Sequence, residues 1–479
     1  MDKTFHDFFY TKDFGKGAGL KGAIDLNTAK LIIKYFNSDI KKEIGHIKVK
    51  DQNISIQAGV SCKLSNIHFG VVNYSHEKVK ISFEPSNLIH IYINDLEAWG
   101  HITSCFKVLL VPYTENTSFE INKLSVNATV MIKSKLVGDK LLPDAEVIAL
   151  DYKYDFDFAL TSKFGKFVIL FKNAIKKLIR DEINKLIDKK LNLGIQIGLS
   201  MIPLEIEVDK NKGYVIDYSL ICTPFIENNF ILFNSYARFI NKYLPETQNK
   251  ENYFLPFNIP SYDLIGKSSQ LYVSEYVINT ALFTFFKTRE LEILITPDML
   301  PANLPLIKLN TSWLNMIFKD LSNVFGMDIP IYFRVLVSEN PQLILKDEMI
   351  SFILPSNIEV IVEGFEGVAV KFKTTFFVDV VLKVFEDCKI SGNIKSLNIQ
   401  NTKIISSYQD DEEFGSKVEK QFNVLKGLAL PFINMFVLKN MHFDLPVIKG
   451  IKFTDLTISH HENFVIINYN FQYNELERI

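Results

Sequence analysis

The feature that most restricts this chain is the run FVILFKNAIKKLIRDEINKLIDKKLNLGIQI at residues 167–197. Phe171, Ile175, Leu178, Ile179, Ile183, Leu186, Ile187 and Leu191 fall three and four apart, the spacing that gathers side chains on one face of an α-helix. Lys172, Lys176, Arg180, Asp181, Lys185, Asp188 and Lys189 take the other face. Asp181 precedes Lys185 by four residues, the favourable order for an ion pair. No Pro interrupts the run, and no Gly before Gly194. A helix this long cannot cover its apolar stripe alone, so it requires a large curved partner. Long alternating strands lie on either side of it in sequence. A helix laid along a wrapped antiparallel sheet leaves an elongated apolar space between the two.

The alternation is explicit. Leu124, Val126, Ala128, Val130 and Ile132 share a face, with Lys123, Ser125, Asn127, Thr129 and Lys133 opposite. Ile148, Leu150, Tyr152, Tyr154, Phe156 and Phe158 share another, with Asp151, Lys153, Asp155 and Asp157 on its wet side. One covered face and one solvated face is the antiparallel signature. Shorter strands are expected at 54–64, 79–83, 89–93 and 106–111. The longest alternation spans 368–384, where Val368, Val370, Phe372, Phe376, Val378, Val380, Leu382 and Val384 face one way. Strands well beyond the usual five or six residues suit a curved sheet.

Other helices are expected at 23–44, with Leu26, Ala29, Ile33, Phe36, Ile40 and Ile44 as the stripe, and after an N-cap at Ser274, with Val277, Ile278, Ala281, Leu282, Phe285 and Phe286 buried. Two more are expected at 312–325 and 412–438, the last broken near Pro431. The order helix, meander, long helix, Ile/Leu-Pro, hairpin then occurs twice. Ile202-Pro203 precedes strands at 205–208 and 214–222 around the turn Asn211-Lys212-Gly213, with a third near 230–233. Leu445-Pro446 precedes strands at 451–459 and 464–471. The chain therefore divides into a flexible N-terminal segment 1–22, a first domain 23–240, a linker 241–260 holding Pro245, Pro256 and Pro260, and a second domain 261–479.

With 47% apolar and 23% charged residues the chain can build a sizeable core. Net charge is −2, and residues 1–240 carry 31 basic against 27 acidic side chains. That balance lacks the concentrated basic face that nucleic acid requires. Cys62, Cys105, Cys222 and Cys388 have no zinc or redox spacing; Cys62 and Cys105 can pair, or all four can stand as buried thiols. No nucleophile elbow, His-Glu-x-x-His or nucleotide loop occurs, so the expectation is a non-enzyme without catalytic residues, metal or cofactor. His460-His461-Glu462 reads as an exposed hairpin turn. Acids and lysines interrupt the first 22 residues, which do not read as a signal peptide, and no run of about 18 apolar residues suggests a membrane span.

Three stretches carry a family likeness. They are HFDLPVIKGIKFTDLTISHHENFVIINYNF at 442–471, Val277-Ile278-Asn279-Thr280-Ala281, and Asp298-Met299-Leu300-Pro301. In their order and reach the chain resembles the family of bactericidal/permeability-increasing protein, lipopolysaccharide-binding protein and cholesteryl ester transfer protein. The resemblance implies an α+β fold: an elongated boomerang of two barrel-like domains, each a twisted antiparallel sheet wrapping a long helix, joined by a central sheet. It implies one apolar pocket per half for lipid acyl chains. The expected linings are Leu26, Ala29, Ile33, Phe36, Phe171, Ile175, Leu178 and Ile179 in the first, and Val277, Ile278, Ala281, Leu282, Phe285, Phe372, Val378 and Val380 in the second.

The expected activity is binding or transfer of a phospholipid or similar amphiphile by a monomer that meets membrane or lipid-particle surfaces transiently. One alternative is innate-immune recognition of lipopolysaccharide or another microbial lipid at the surface, for which Lys41, Lys42, Lys48 and Lys50 form a modest basic run. The other is a non-binding scaffold. By resemblance the setting is extracellular or the endomembrane lumen; otherwise it is soluble cytoplasm. The family's disulfide between a strand and the long helix is absent, because residues 147–197 hold no Cys.

Overall fold

β-Branched and aromatic residues alternate with polar ones over long stretches, and such patterns favour extended chain packed on one side. The computed structural model describes residues 18–31, 48–49, 51–57, 60–73, 75–108, 111–158, 176–177, 180–181, 184–185, 204–245, 269–299, 308–384, 389–408, 413–432, 434, 443–444 and 451–473. In it the alternating segments become very long strands. Leu88–Val108, Val111–Val137 and Lys140–Phe158 form an antiparallel meander in the first half. Met349–Val362, Val370–Val384 and Lys389–Ser407 do so in the second. The expected strand at 106–111 is the meeting point of two strands, with Val108 opposite Val111.

Strands this long bend at single residues in the left-handed region: Asn66 (φ 50°), Asp95 (51°), Lys123 (52°) and Asp455 (54°). Pairing register slips at each of them. A bulge inserts one residue, bends its strand and sharpens the local twist. Successive bulges across neighbouring strands therefore curl the sheet. One bulge also overturns an expectation. Val147 pairs with Val130 and Ala149 with Thr129, so Ile148 is the extra residue and lies 49% exposed instead of joining the apolar face.

The two halves meet in a six-stranded sheet of order 225–227, 230–235, 20–25, 269–274, 464–473, 451–461. Its middle pair is Leu20–Asp25 against Ser269–Ser274, antiparallel, with Leu20 opposite Val273 and Ala23 opposite Gln270. Each of these strands leads into a helix, and each pairs on its outer side with a hairpin from late in its own half. This arrangement corrects the expectation for the N-terminus. Leu20, Lys21 and Gly22 are buried strand residues, and the helix begins at Leu26, not Ala23. The Asp25 carboxylate stops the strand and starts the helix. It accepts from the Thr28 amide at 3.1 Å and from Ser269 Oγ at 3.0 Å.

A three-stranded sheet, Arg238–Asn241, Tyr214–Asp217 and Glu205–Asp209, lies beside this joint. Lys140, from the first meander, reaches Glu205 at 2.6 Å. Lys140 and Lys242 together hold the Glu205 carboxyl below its ordinary range. Asn241, expected to open the linker, ends a strand and is buried; residues 246–260 lie outside the described set. The helix expected at 312–325 is two short ones, Thr311–Leu314 and Leu321–Phe325, because Asp320 adopts φ 58° between them.

Of the long amphipathic run, residues 176–177, 180–181 and 184–185 are described, and all are helical. Tyr154 of the meander meets this helix: its hydroxyl lies 3.0 Å from Asn184 Oδ1, and the Arg180 guanidinium sits 5.8 Å from its ring. In the second half the helix Phe414–Phe432 runs along Lys389–Ser407. Gly415 makes that approach possible, since a Cβ there would lie 2.3 Å from the Thr402 carbonyl oxygen. Among the described residues no helix is long and apolar enough to cross a membrane.

Cys62 is buried opposite Phe106, while Cys105 sits opposite Lys63 on the other face of the sheet. Face parity keeps the two thiols apart, and both are free, as is Cys222. Burial, followed by the neighbouring Cys105, pushes the Cys62 thiol up to about 12. Cys388 lies outside the described residues.

The joint yields a prediction. Asp25→Ala removes a helix cap together with a bond between the two middle strands. It should cost about 1–2 kcal/mol, read as a lowered urea midpoint.

Candidate functional site

The helix Glu275–Lys287 follows directly from the central strand Ser269–Ser274. Ser274 caps it, its side chain accepting from the Tyr276 amide, as the sequence predicts. The expected buried stripe is displaced. Glu275, Tyr276, Asn279, Thr280, Phe283 and Thr284 are fully buried, whereas Val277, Ile278, Ala281, Leu282 and Phe285 are half-buried.

The physical reason is strand edges on either side of the helix. Asn279 Oδ1 accepts from the Leu343 amide at 2.7 Å and its Nδ2 donates to the Leu343 carbonyl at 2.9 Å. Glu275 accepts from the Leu345 amide at 2.9 Å. On the other flank Thr280 Oγ1 accepts from the Phe239 amide at 3.0 Å. Buried backbone groups must find partners, and these side chains supply them. The polar stripe thus docks the helix, and the apolar stripe beside it stays half open.

Of the second expected lining, Ile278 and Leu282 pack against the core of Leu343, Leu345, Ile350 and Val465. Phe285 stands edge-on to Tyr214, ring centroids 5.0 Å apart. Phe372 is 3% exposed and packs in the far core with Phe318, Phe414 and Val418. Val378 and Val380 stand on the same strand as Phe372, nearer the central sheet. Both are half-buried, and neither is among the described side chains packed in the two cores.

In the first half Leu26 and Ala29 are half-buried against Ile81, Phe83 and Ile226. Ile33, Phe36, Phe171, Ile175, Leu178 and Ile179 lie outside the described residues. The inner face of the first sheet is apolar, with Leu64, Ile102, Phe119 and Ile121 fully buried.

Glu275, Asn279 and Thr280 escaped the sequence reading, although Asn279 and Thr280 stand inside one of the motifs quoted for the family. Polar residues at helical spacing inside an apolar helix were the available signal. The histidine cluster differs from expectation too. The turn is Glu462-Asn463, and His461 stacks on Phe464 at 4.9 Å. His460 is half-buried, and burial holds its imidazole below the usual range.

Burial also raises the Glu275 carboxyl above the ordinary carboxylate range, against the opposing Leu345 amide bond. The folded state therefore favours the protonated acid. The stability this contributes is present below the unfolded-state value and is lost as pH rises through the folded one.

The model for the "LBP / BPI / CETP family, C-terminal domain" matches residues 207–473. A bactericidal permeability-increasing protein of Sebastes schlegelii is 21% identical over 449 residues, covering 91% of each chain. A lipopolysaccharide-binding protein of Oryctolagus cuniculus is 22% identical, covering 85% of each. A crystal structure of lipopolysaccharide binding protein superposes with a TM-score of 0.51 at 16% identity, covering 96% of this chain and 100% of the other. That likeness concerns the fold, a two-domain tube of curled sheets.

Two outcomes are expected. Asn279→Ala strands both backbone groups of Leu343 and should cost about 1–3 kcal/mol, seen as a lower thermal midpoint. Glu275→Gln should match the parent at pH 4 and exceed it in thermal midpoint at pH 8; an advantage confined to pH 4 would reverse the assignment.

Proposed function

Because the chain belongs to the LBP / BPI / CETP family, we propose that it is a lipid carrier. It holds the acyl chains of a phospholipid-like amphiphile in an apolar pocket beneath each curled sheet. The observation that carries this reading is that Val277 and Ala281 of the helix Glu275–Lys287, with Val378 and Val380 of the strand Val370–Val384, are half-buried and stand outside the two packed cores. An apolar side chain left short of full burial keeps surface on which a partner can pack. A hydrocarbon tail supplies that partner, at about 0.8 kcal/mol for each CH₂ removed from water. Such carriage needs no reactive group. The tails lie in the pocket and the head stays at its mouth, where transient contact with a membrane delivers or collects the lipid. An extracellular or lumenal setting goes with this reading on the same family ground.

A second reading makes the lipid microbial lipopolysaccharide. The name of the Oryctolagus cuniculus relative, a lipopolysaccharide-binding protein, favours it. Vesicles of plain phospholipid compared with lipopolysaccharide-coated ones distinguish the two.

Mass spectrometry of lipid extracted from natively purified protein tests the carrier itself. Bound phospholipid is expected. The double substitution Ala281→Trp with Val380→Trp fills one of two pockets and should lower the recovered lipid by about half. Protein that is empty and takes up nothing from liposomes would sink the proposal.

A further inference from the structure

The outer face of the first meander carries two histidines in direct opposition. His68, on strand Val60–Asn73, is the cross-strand partner of His101 on Leu88–Val108. Both side chains are exposed, and their ring centroids are 5.6 Å apart. Neither belongs to a core, and neither contributes to the interior described above.

The bulge at Asn66 prepares one of these rings. Asn66 takes φ 50°, and its carbonyl oxygen lies 2.9 Å from His68 Nδ1. A carbonyl only accepts, so Nδ1 carries a proton, and in the neutral ring this leaves the lone pair on Nε2. Histidines that bind metals are oriented in this way, with the second ring nitrogen donating to a carbonyl or carboxylate. The strand pairing brings His101 alongside. Two imidazoles on one ion, each nitrogen about 2.0–2.1 Å from it, place their centroids roughly 5 Å apart, close to the separation seen.

We propose that His68 and His101 form a surface site for a divalent late transition-metal ion, tightest for Cu²⁺. Imidazole pairs suit copper, nickel and zinc, and among these Cu²⁺ binds a given nitrogen site most strongly. Among the described residues no three His, Cys, Asp or Glu side chains converge. The described residues therefore supply two ligands, and water completes the coordination. Trp99 stands beside the site, its ring centroid 5.1 Å from that of His101, and serves as a built-in reporter, since bound Cu²⁺ quenches a neighbouring indole.

The test titrates the full chain with Cu²⁺ alone, reading tryptophan fluorescence and, by equilibrium dialysis, bound copper. Saturable quenching with one ion per chain is expected, with two nitrogen ligands in the electron paramagnetic resonance spectrum. His68→Gln and His101→Asn should each weaken binding by about tenfold or more, with an unchanged thermal midpoint in the absence of metal. Trp99→Phe should keep the copper and lose most of the quenching. Binding that survives either histidine substitution, or quenching that survives Trp99→Phe, would overturn the site.

Discussion

The pairing of Leu20–Asp25 with Ser269–Ser274 is the constraint on which the rest of the molecule depends. One strand comes from each half, and their union makes one sheet of six strands from two sets of three. The antiparallel ladder supplies the main-chain bonds. Asp25, Thr28 and Ser269 tie its end: Thr28 Oγ1 lies 2.9 Å from Ser269 Oγ, and both side chains are buried. Buried hydroxyls left without partners would cost more than the bonds themselves contribute. The joint is therefore exact in register as well as in position. A slip of one residue would also turn the apolar side of each strand outward.

From this joint each half extends as a meander whose strands exceed ordinary length. Such strands twist, and twist alone would not close them around a helix. The bulges at Asn66, Asp95 and Lys123 bend neighbouring strands of one sheet in succession. Asn and Asp tolerate the left-handed region better than most residues. Lys123 has no such excuse, and only the demands of its neighbours place it there. The same device that curls the sheet also turns the Asn66 carbonyl toward His68 on the outer face. Interior shape and outer surface are thus consequences of one backbone irregularity.

The helix Glu275–Lys287 shows how an apolar element can remain incompletely buried in a stable fold. Glu275, Asn279 and Thr280 bond backbone groups of the strands beside it, so the helix is held by directional bonds on its flanks. It does not need complete burial of Val277, Ala281 and Leu282 to stay in place. The far end of the same domain is built differently. Phe318, Phe372 and Phe414 form a dense aromatic knot there, with centroids 5.5–6.4 Å apart. One end is closed by aromatic packing, and on the same strand nearer the central sheet Val378 and Val380 are half-buried.

By itself the sequence carried the longest alternating strands and the capping of the helix at Ser274, because periodicity and caps are local properties of consecutive residues. It also carried the family likeness, in short motifs spread along the chain. Only the tertiary structure decided that residues 20–25 form a central strand: a short segment rich in Gly and Lys has no periodicity, and its burial comes from partners about 200 residues or more away in the chain. The same holds for Ile148, which reads as core by alternation and is turned outward by a bulge that depends on the neighbouring strand. Phe372 and Val378 share one alternating face, yet one is packing and the other is half-buried, because the cores at the two ends of the strand come from distant segments. Parity along a strand tells which way a side chain points, and only the elements folded over it determine what it meets.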